Sequence, residues 1–415
     1  MAVTPLRSEC RIATPGLVLP RLRLYLLQCS NDWDPAMPET VTNSETDRIF
    51  VFQGGGALGA YQAGAYEALH ENDLEPDWLA GISIGAVNAA IIAGSPREKR
   101  IAHLRDFWHT VSSSLDFPWA AQDNTLRRMQ NDAAAMAATL FGVPGFFSPR
   151  LYTPRQLLEN ADTRVSYYDT GPLLKTLERL IDFNLLNDCQ TRLSLGAVEV
   201  RSGNFVYFDN RQSRLDVRHI AASGALPPGF APVEIDGRSY WDGGLVSNTP
   251  LQHVLNVSDA TRDLEIFQVD LFNARGHMPR DQFEVESRVK EIRYSSRTRM
   301  NTDDFARRQI VRRAAKRLLE KLPPEFRDDE DARILRSIGQ EYDVTIVHLI
   351  HRRASHATHA MDAEFSRRSI EEHWKAGYDD ASYTLKHPKW RGRGRPRDGI
   401  QIFDLARERH LHVGT

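Results

Sequence analysis

An α/β fold built on parallel strands is predicted by two strand–turn–helix units in series and by a third buried strand further along. The first unit is IFVFQGGGALGAYQAGAYEAL, Ile49 to Leu69: an apolar run, a burst of glycine, then Ala, Tyr and Leu at helical spacing. The second is WLAGISIGAVNAAIIAG, a short strand through Ala80, a sharp turn and a small-residue helix. Units of this kind in series pack as a parallel sheet with helices on its faces. LEIFQVDLF supplies the further strand.

The remaining elements follow in order. Residues 95–170 hold charged helices and FGVPGFFSPRLY, Phe141 to Tyr152. That Phe, Gly and Pro content suits a lid or an apolar groove over a site, and equally a packed surface loop. DTGPLLKTLERLI reads as a helix with Pro near its start. LSLGAVEV and GNFVYFD read as a hairpin turning at Gly203-Asn204. Beyond about residue 276 Arg and Lys become dense, helical periodicity runs through 303–322, and YDVTIVHLIH forms a last strand. A boundary or extension is therefore expected near 276.

Composition narrows the class. At 41% hydrophobic and 26% charged, the 415-residue chain reads as a globular protein. A formal net charge of −2 supplies no global field toward nucleic acid or anionic membrane. Cys10, Cys29 and Cys189 are few and unpatterned, which suggests a reducing compartment and no disulfide framework. Arg21 and Arg23 interrupt the apolar stretch near the start, and no small-residue cleavage site follows it. Residues 1–46 are thus expected to be a loosely ordered leader and the location cytoplasmic, with a processed export signal as the alternative reading of the leader. No apolar run is long enough to span a bilayer.

The glycine loop can hold one of two anions. Gly54, Gly56 and Gly59 fit G-x-G-x-x-G, which can cradle the pyrophosphate of a dinucleotide. The same bare N–H groups can stabilise an oxyanion. The dinucleotide reading wants an acidic residue some twenty positions on, at a strand end. Glu75 and Asp77 lie near that distance, but in the turn-like ENDLEPDW. GISIG, Gly81 to Gly85, fits G-x-S-x-G between a strand and a helix, the setting of a nucleophile elbow that presents Ser83. The following helix would aim its positive end at developing negative charge. Asp242-Gly243-Gly244 is a third element.

Together QGGGALGA, GISIGA and YWDGG, in that order, resemble the patatin-like phospholipase family. AASGALPPGFAPV and Asn248 and Pro250 add to the likeness, which covers roughly residues 48–275. The resemblance implies a three-layer α/β/α hydrolase domain over 47–275, with 95–170 as a variable cap, and a mainly helical extension over 276–415. It implies a Ser–Asp dyad, with Ser83 as nucleophile and Asp242 as general base. It implies an oxyanion hole of Gly54, Gly55 and Gly56, supported by Gly59, Gly81, Gly85, Gly243 and Gly244. No metal or organic cofactor is called for, and the substrate would be an acyl lipid or another ester. Family members often carry Arg or Lys where this chain has Leu58, so oxyanion stabilisation would rest on backbone donors.

Alternatives stay open at this point. His253 follows Asp242 and could complete a Ser–His–Asp triad. The substrate could be a short ester or a stored hydroxyalkanoate polyester. The chain could be a catalytically weak scaffold or, using its glycines alone, a dinucleotide-binding oxidoreductase. The oligomeric state is not legible.

Weaker signals have bland readings. In the basic helix over 303–322, Phe305, Ile310, Val311, Ala314, Leu318, Leu319 and Leu322 form an apolar stripe. Such a stripe can lie on anionic lipid, giving peripheral membrane contact, but more commonly packs on a core. His348, His351, His356 and His359 read as ordinary polar histidines rather than a metal cluster. Arg393-Gly394-Arg395-Pro396 resembles the core of an AT-hook. As a single copy without a basic field, it reads as a solvated loop, and no nucleic acid is expected.

Overall fold

The computed structural model describes residues 46–113, 124–150, 166–257, 262–295, 298–326, 329–338, 342–352, 360–396 and 399–412. Cys10, Cys29, His356, His359 and residues 1–45 lie outside them.

The first unit forms β1 (Thr46–Phe52) and α1 (Ala60–His70), and the second forms β2 (Trp78–Ile82) and α2 (Ile84–Ala93). After α3 (Arg100–Thr110), α4 (Asn124–Phe141) and α5 (Gly171–Leu180) come β3 (Arg192–Glu199) and β4 (Phe205–Asp209). Then follow α6 (Val217–Ser223), β5 (Val233–Ile235), β6 (Arg238–Asp242), α7 (Leu251–Val257) and β7 (Asp263–Asp270). The C-terminal third adds α8 (Gln282–Tyr294), α9 (Thr298–Lys321), α10 (Glu330–Ile338), β8 (Val344–Ile350), α11 (Arg367–Lys386), β9 (Ile400–Phe403) and α12 (Ala406–His412).

One sheet runs β9-β8-β7-β1-β2-β3-β6-β5, with β4 also paired to β3. From β9 to β3 every pairing is parallel, and β4, β6 and β5 are antiparallel. Alternation along each strand divides the core in two, because successive side chains point to opposite faces. Phe50 and Phe52 join Leu79, Leu195 and Phe267 with the side chains of α1, α2, α3 and α11. Ile49 and Val51 join Trp78, Ile266 and Ile346 with Leu251 and Val254 of α7 and Phe305 of α9. The result is the three-layer α/β/α arrangement. Burial on both faces explains why the strands are near-continuous apolar runs.

Two features tie residues beyond 276 to this frame. β8 and β9 extend the parallel sheet alongside β7. α11 lies against α1 so closely that a Cβ at Gly64 would overlap the Trp374 carbonyl, and one at Gly377 the Tyr61 carbonyl. Only glycine permits such backbone approach.

The basic helix α9 divides its stripe. Phe305 is buried, whereas Ile310, Val311 and Leu318 are exposed. Its arginines make protein contacts: Arg313 pairs with Asp343 at 2.5 Å and Arg312 donates to the Tyr342 hydroxyl at 2.8 Å. Arg393 stacks 3.6 Å from the centre of the Trp390 ring and pairs with Glu265. His351 is buried with its Nε2 3.2 Å from Nδ1 of His373. No helix among the described residues is long and apolar enough to cross a membrane.

Candidate active site

Sheet register brings the two candidate side chains together. β2 ends with Ile82 beside Gly196 of β3, so Ser83 follows at the level of Ala197. β6 runs the other way, and its last residue, Asp242, pairs with that same Ala197. Serine and aspartate therefore reach one spot from opposite directions, at the C-terminal edge of the parallel strands.

Ser83 sits at φ 56°, ψ −125°, a conformation that side-chain-bearing residues rarely adopt. Its surroundings hold it there. Its N–H donates to both the carbonyl and the hydroxyl oxygen of Ser223, each at 3.1 Å, and that hydroxyl donates to the Gly196 carbonyl at 2.6 Å. Its own carbonyl accepts the first helical bonds of α2, from Ala86 and Val87. Gly81 and Gly85 flank it because a Cβ at Gly85 would come 2.5 Å from the Phe52 carbonyl, and one at Gly81 would strike Gly85 itself.

Asp242 is buried and accepts the Gly244 N–H at 2.7 Å. Burial pushes its carboxyl up to about 7, outweighing the lowering by the Gly244 N–H and the Ser83 hydroxyl. Desolvation thus raises the proton affinity of this carboxylate above that of an ordinary one. Gly243 packs against the Gly196 carbonyl, and Gly244 leaves the carboxylate uncrowded.

The glycine loop lies opposite. Gly54 packs against the Ser83 Cβ, and Gly56 has φ +56°. Gly55 and Gly56 line the cavity, and among the described residues neither N–H has an acceptor. Gly54 departs from the expected oxyanion trio: its N–H is already bonded to the Asn248 carbonyl at 3.2 Å. Its contribution is close approach rather than donation. Gly59 packs on Ile84 at the start of α2.

A buried polar chain fixes this loop, and sequence reasoning missed most of it. Trp108 donates to Asn88, Asn88 to Gln62 and Gly59, and Gln62 to the Gln53 carbonyl. The Gln53 side chain accepts from Leu271 and Phe272 and donates to Thr249 and the Tyr294 carbonyl. The Asn248 side chain donates to the carbonyls of Gly54 at 2.9 Å and Tyr294 at 3.2 Å. Gln53 adjoins the first motif glycine, which is the one signal that could have found it, and Asn248 stands out in the sequence only as part of the family likeness, without a role. Asn248→Ala is expected to lower the turnover of whatever reaction the site performs by about 10²-fold, the scale of an ångström-sized misplacement. Initial rates beside a denaturant titration check this, with a stability loss of about 1–3 kcal/mol for the stranded carbonyls.

The cavity above Ser83 and Asp242 holds about 240 Å³ and is mainly apolar, with Phe146, Phe147, Leu173, Phe230, Phe272 and Phe365 in its wall. Phe146 and Phe147 belong to the Phe-Gly-Pro segment, of which Leu151 and Tyr152 lie outside the described residues. Tyr294, Asp362 and Phe365 come from beyond residue 276. The Asp362 carbonyl accepts the Ala57 N–H at 2.9 Å, so the far segment braces the glycine loop.

The alternatives can be located too. No histidine lines the cavity among the described residues. His253 stacks on Tyr207 at 3.6 Å, and burial first, then Arg192, lowers it to about 4. Glu75, the acidic candidate for a ribose, is held by Arg100, Tyr66 and His70.

Comparison with known proteins agrees with the motifs. Residues 50–255 match the family of patatin-like phospholipases, and residues 292–397 match a family described as patatin phospholipase. A patatin-like phospholipase domain-containing protein of Caenorhabditis elegans is 26% identical over 209 residues, half of this chain. A second from the same organism is 41% identical over 58 residues, 14% of this chain. The matches span only 12% and 5% of those relatives' lengths. Among solved structures, VipD from Legionella pneumophila is 13% identical with a TM-score of 0.35, covering 89% of this chain and 74% of that one. The type III effector ExoU is 12% identical with a TM-score of 0.29, covering 81% and 52%. With the glycine loop, the serine elbow and the Asp-Gly-Gly all inside the first match and the bracing segment inside the second, this chain belongs to the patatin-like phospholipase family.

Proposed function

We propose that the protein is a serine acyl hydrolase of the lipase or phospholipase A type, cleaving carboxylic esters of acyl lipids through an acyl-Ser83 intermediate. The observation that carries this reading is the meeting of a strained serine and a buried, raised carboxylate beneath an apolar cavity. In the first step the Ser83 Oγ attacks the ester carbonyl carbon while Asp242 takes the hydroxyl proton. The carbonyl oxygen becomes an oxyanion facing the N–H groups of Gly55 and Gly56, with the start of α2 beneath the serine. Collapse breaks the bond to the leaving alcohol, which departs with the proton from Asp242. Water then attacks the acyl-enzyme and gives its proton to the same carboxylate. The fatty acid leaves, and Ser83 recovers its hydrogen. Losing one oxyanion donor would cost about 2.7–4 kcal/mol, so two backbone donors can carry the step without a cation at Leu58.

The apolar wall favours an alkyl chain over a sugar or nucleotide, whose polar groups would be left unpaired. The exposed Ile310, Val311 and Leu318 among the arginines of α9 suit peripheral contact with anionic lipid.

A fluorophosphonate probe tests the proposal. It is expected to label the protein once, on Ser83, as read by peptide mass mapping, with loss of ester hydrolysis in step with labelling. Label on another residue, or hydrolysis that survives complete labelling, overturns it.

A further inference from the structure

We infer that Lys290 is a positioning residue for the ester cleavage proposed above: by pairing with Asp362 it cancels the charge of a carboxylate that stands beside the oxyanion donors. The inference rests on that hydrolase reading and adds a residue to it. Cleavage places a negative charge on the ester oxygen at the glycine loop, yet among the described residues the cavity wall contains no cationic side chain. Its charged side chains are Asp242, the base, and Asp362. Leu58, within the loop, is apolar and buried. An uncompensated Asp362 would oppose the developing oxyanion, because like charges repel more strongly in a desolvated site than in water.

The main chain fixes Asp362 at that spot. Its carbonyl accepts the Ala57 N–H at 2.9 Å, and its Cβ lies 3.6 Å from the point where a Cβ on Gly56 would stand. Lys290 meets it from α8, with its Nζ 2.8 Å from Oδ1 and 3.1 Å from Oδ2. The ammonium thus serves both carboxylate oxygens. The lysine and aspartate side chains are 35% and 27% exposed, so solvent weakens the pair without replacing it. The lysine comes from an anchored helix end. One turn further along α8, the Tyr294 carbonyl accepts from Gln53 and Asn248, the side chains that hold the glycine loop.

These charges are felt inside the cavity. Tyr294 stands in the same wall, and its phenol is pushed up by burial first and then by Asp242 and Asp362, while Arg293 and Lys290 pull it down. The shift of Asp242 comes instead from burial, the Gly244 N–H and the Ser83 hydroxyl. The pair therefore acts on the oxyanion side of the site and leaves the base as it is.

The test separates charge from mere tethering in the full-length protein, with p-nitrophenyl butyrate as a neutral ester. Lys290→Met is expected to lower kcat about tenfold at nearly unchanged KM, since the oxyanion exists in the transition state and not in the bound ester. Adding Asp362→Asn to it should recover most of that loss. Asp362→Asn alone should raise kcat about two- to threefold, because it leaves the ammonium unopposed. Lys290→Arg keeps the charge and should stay within about threefold of wild type. The midpoint of the kcat/KM pH profile should be the same in all of them. Urea midpoints check folding, and Lys290→Gln reads the same quantity if the methionine variant lacks a folded state. Equal losses in Lys290→Met, Asp362→Asn and the double variant would mark a tether, and an unaffected Lys290→Met an idle pair. Either result overturns the inference, while fluorophosphonate labelling of Ser83 leaves the hydrolase reading standing. No hydrolysis and no labelling in the wild type overturns both.

Discussion

Ser83→Gly is expected to give a protein about 1 kcal/mol more stable than Ser83→Ala, with ester hydrolysis lost in both. The loss follows from the chemistry: without the hydroxyl no acyl-enzyme forms, and removal of a nucleophile of this type has cost about 10⁶-fold in turnover. The stability difference follows from the backbone. At φ 56° and ψ −125°, a residue with a Cβ stores about 1–3 kcal/mol of strain. Alanine keeps that strain and glycine releases it, at the expense of about 0.5–1 kcal/mol of additional chain entropy. Both variants lack the hydroxyl that steadies Asp242, so their difference isolates the backbone. Urea midpoints at unchanged slope measure it. Equal midpoints would mean that the elbow is unstrained, and retained hydrolysis would remove Ser83 from the reaction.

Asp242→Asn is expected to abolish activity and to change how stability depends on pH. As general base, Asp242 must be ionised, so the wild-type kcat/KM should rise through about pH 7 and then level. Stability should move the other way. The folded carboxyl holds its proton up to about pH 7, whereas the unfolded one releases it near 3.8. Below both values nothing is lost. Between them the unfolded state alone gains by ionising, so stability falls as pH rises, until both forms are charged above about 7. Three pH units of this linkage amount to at most about 4 kcal/mol. The asparagine variant lacks the slope, so its advantage over wild type should grow across pH 4 to 7 while its hydrolysis stays about 10⁴-fold down. Parallel stability curves for the two proteins would show that Asp242 is not the raised group.

The same geometry explains what was legible in the sequence. Glycines mark close backbone approach, and G-x-S-x-G marks a turn that few other patterns need, so the loop and Ser83 announce themselves. Asp242 was readable only with its two glycines and its order after the other motifs. Its partner Ala197 carries no signal, although the shared register on β3 is what brings the carboxylate to the serine. Ser223, Gln53 and Asn88 act by donating to or accepting from main-chain groups distant in the chain. Such residues look like any other buried polar side chain until the fold is known. Gly54 lies in the glycine motif with its N–H already taken, which the sequence could not show because the acceptor, the Asn248 carbonyl, lies 194 positions away. Tyr294, Asp362 and Phe365 were missed for the same reason: cavity walls recruited from a distant segment leave no local pattern.

The glycine-to-glycine crossing of α1 and α11 has a consequence for how the molecule can change. α1 begins where the glycine loop ends, and α11 begins just after Phe365. With main chain against main chain there is no side chain to yield, so a shift in one helix must be carried by the other. Variation in the later half is thereby felt at the glycine loop. The two halves are mechanically one lever, and drift in either is constrained by the other.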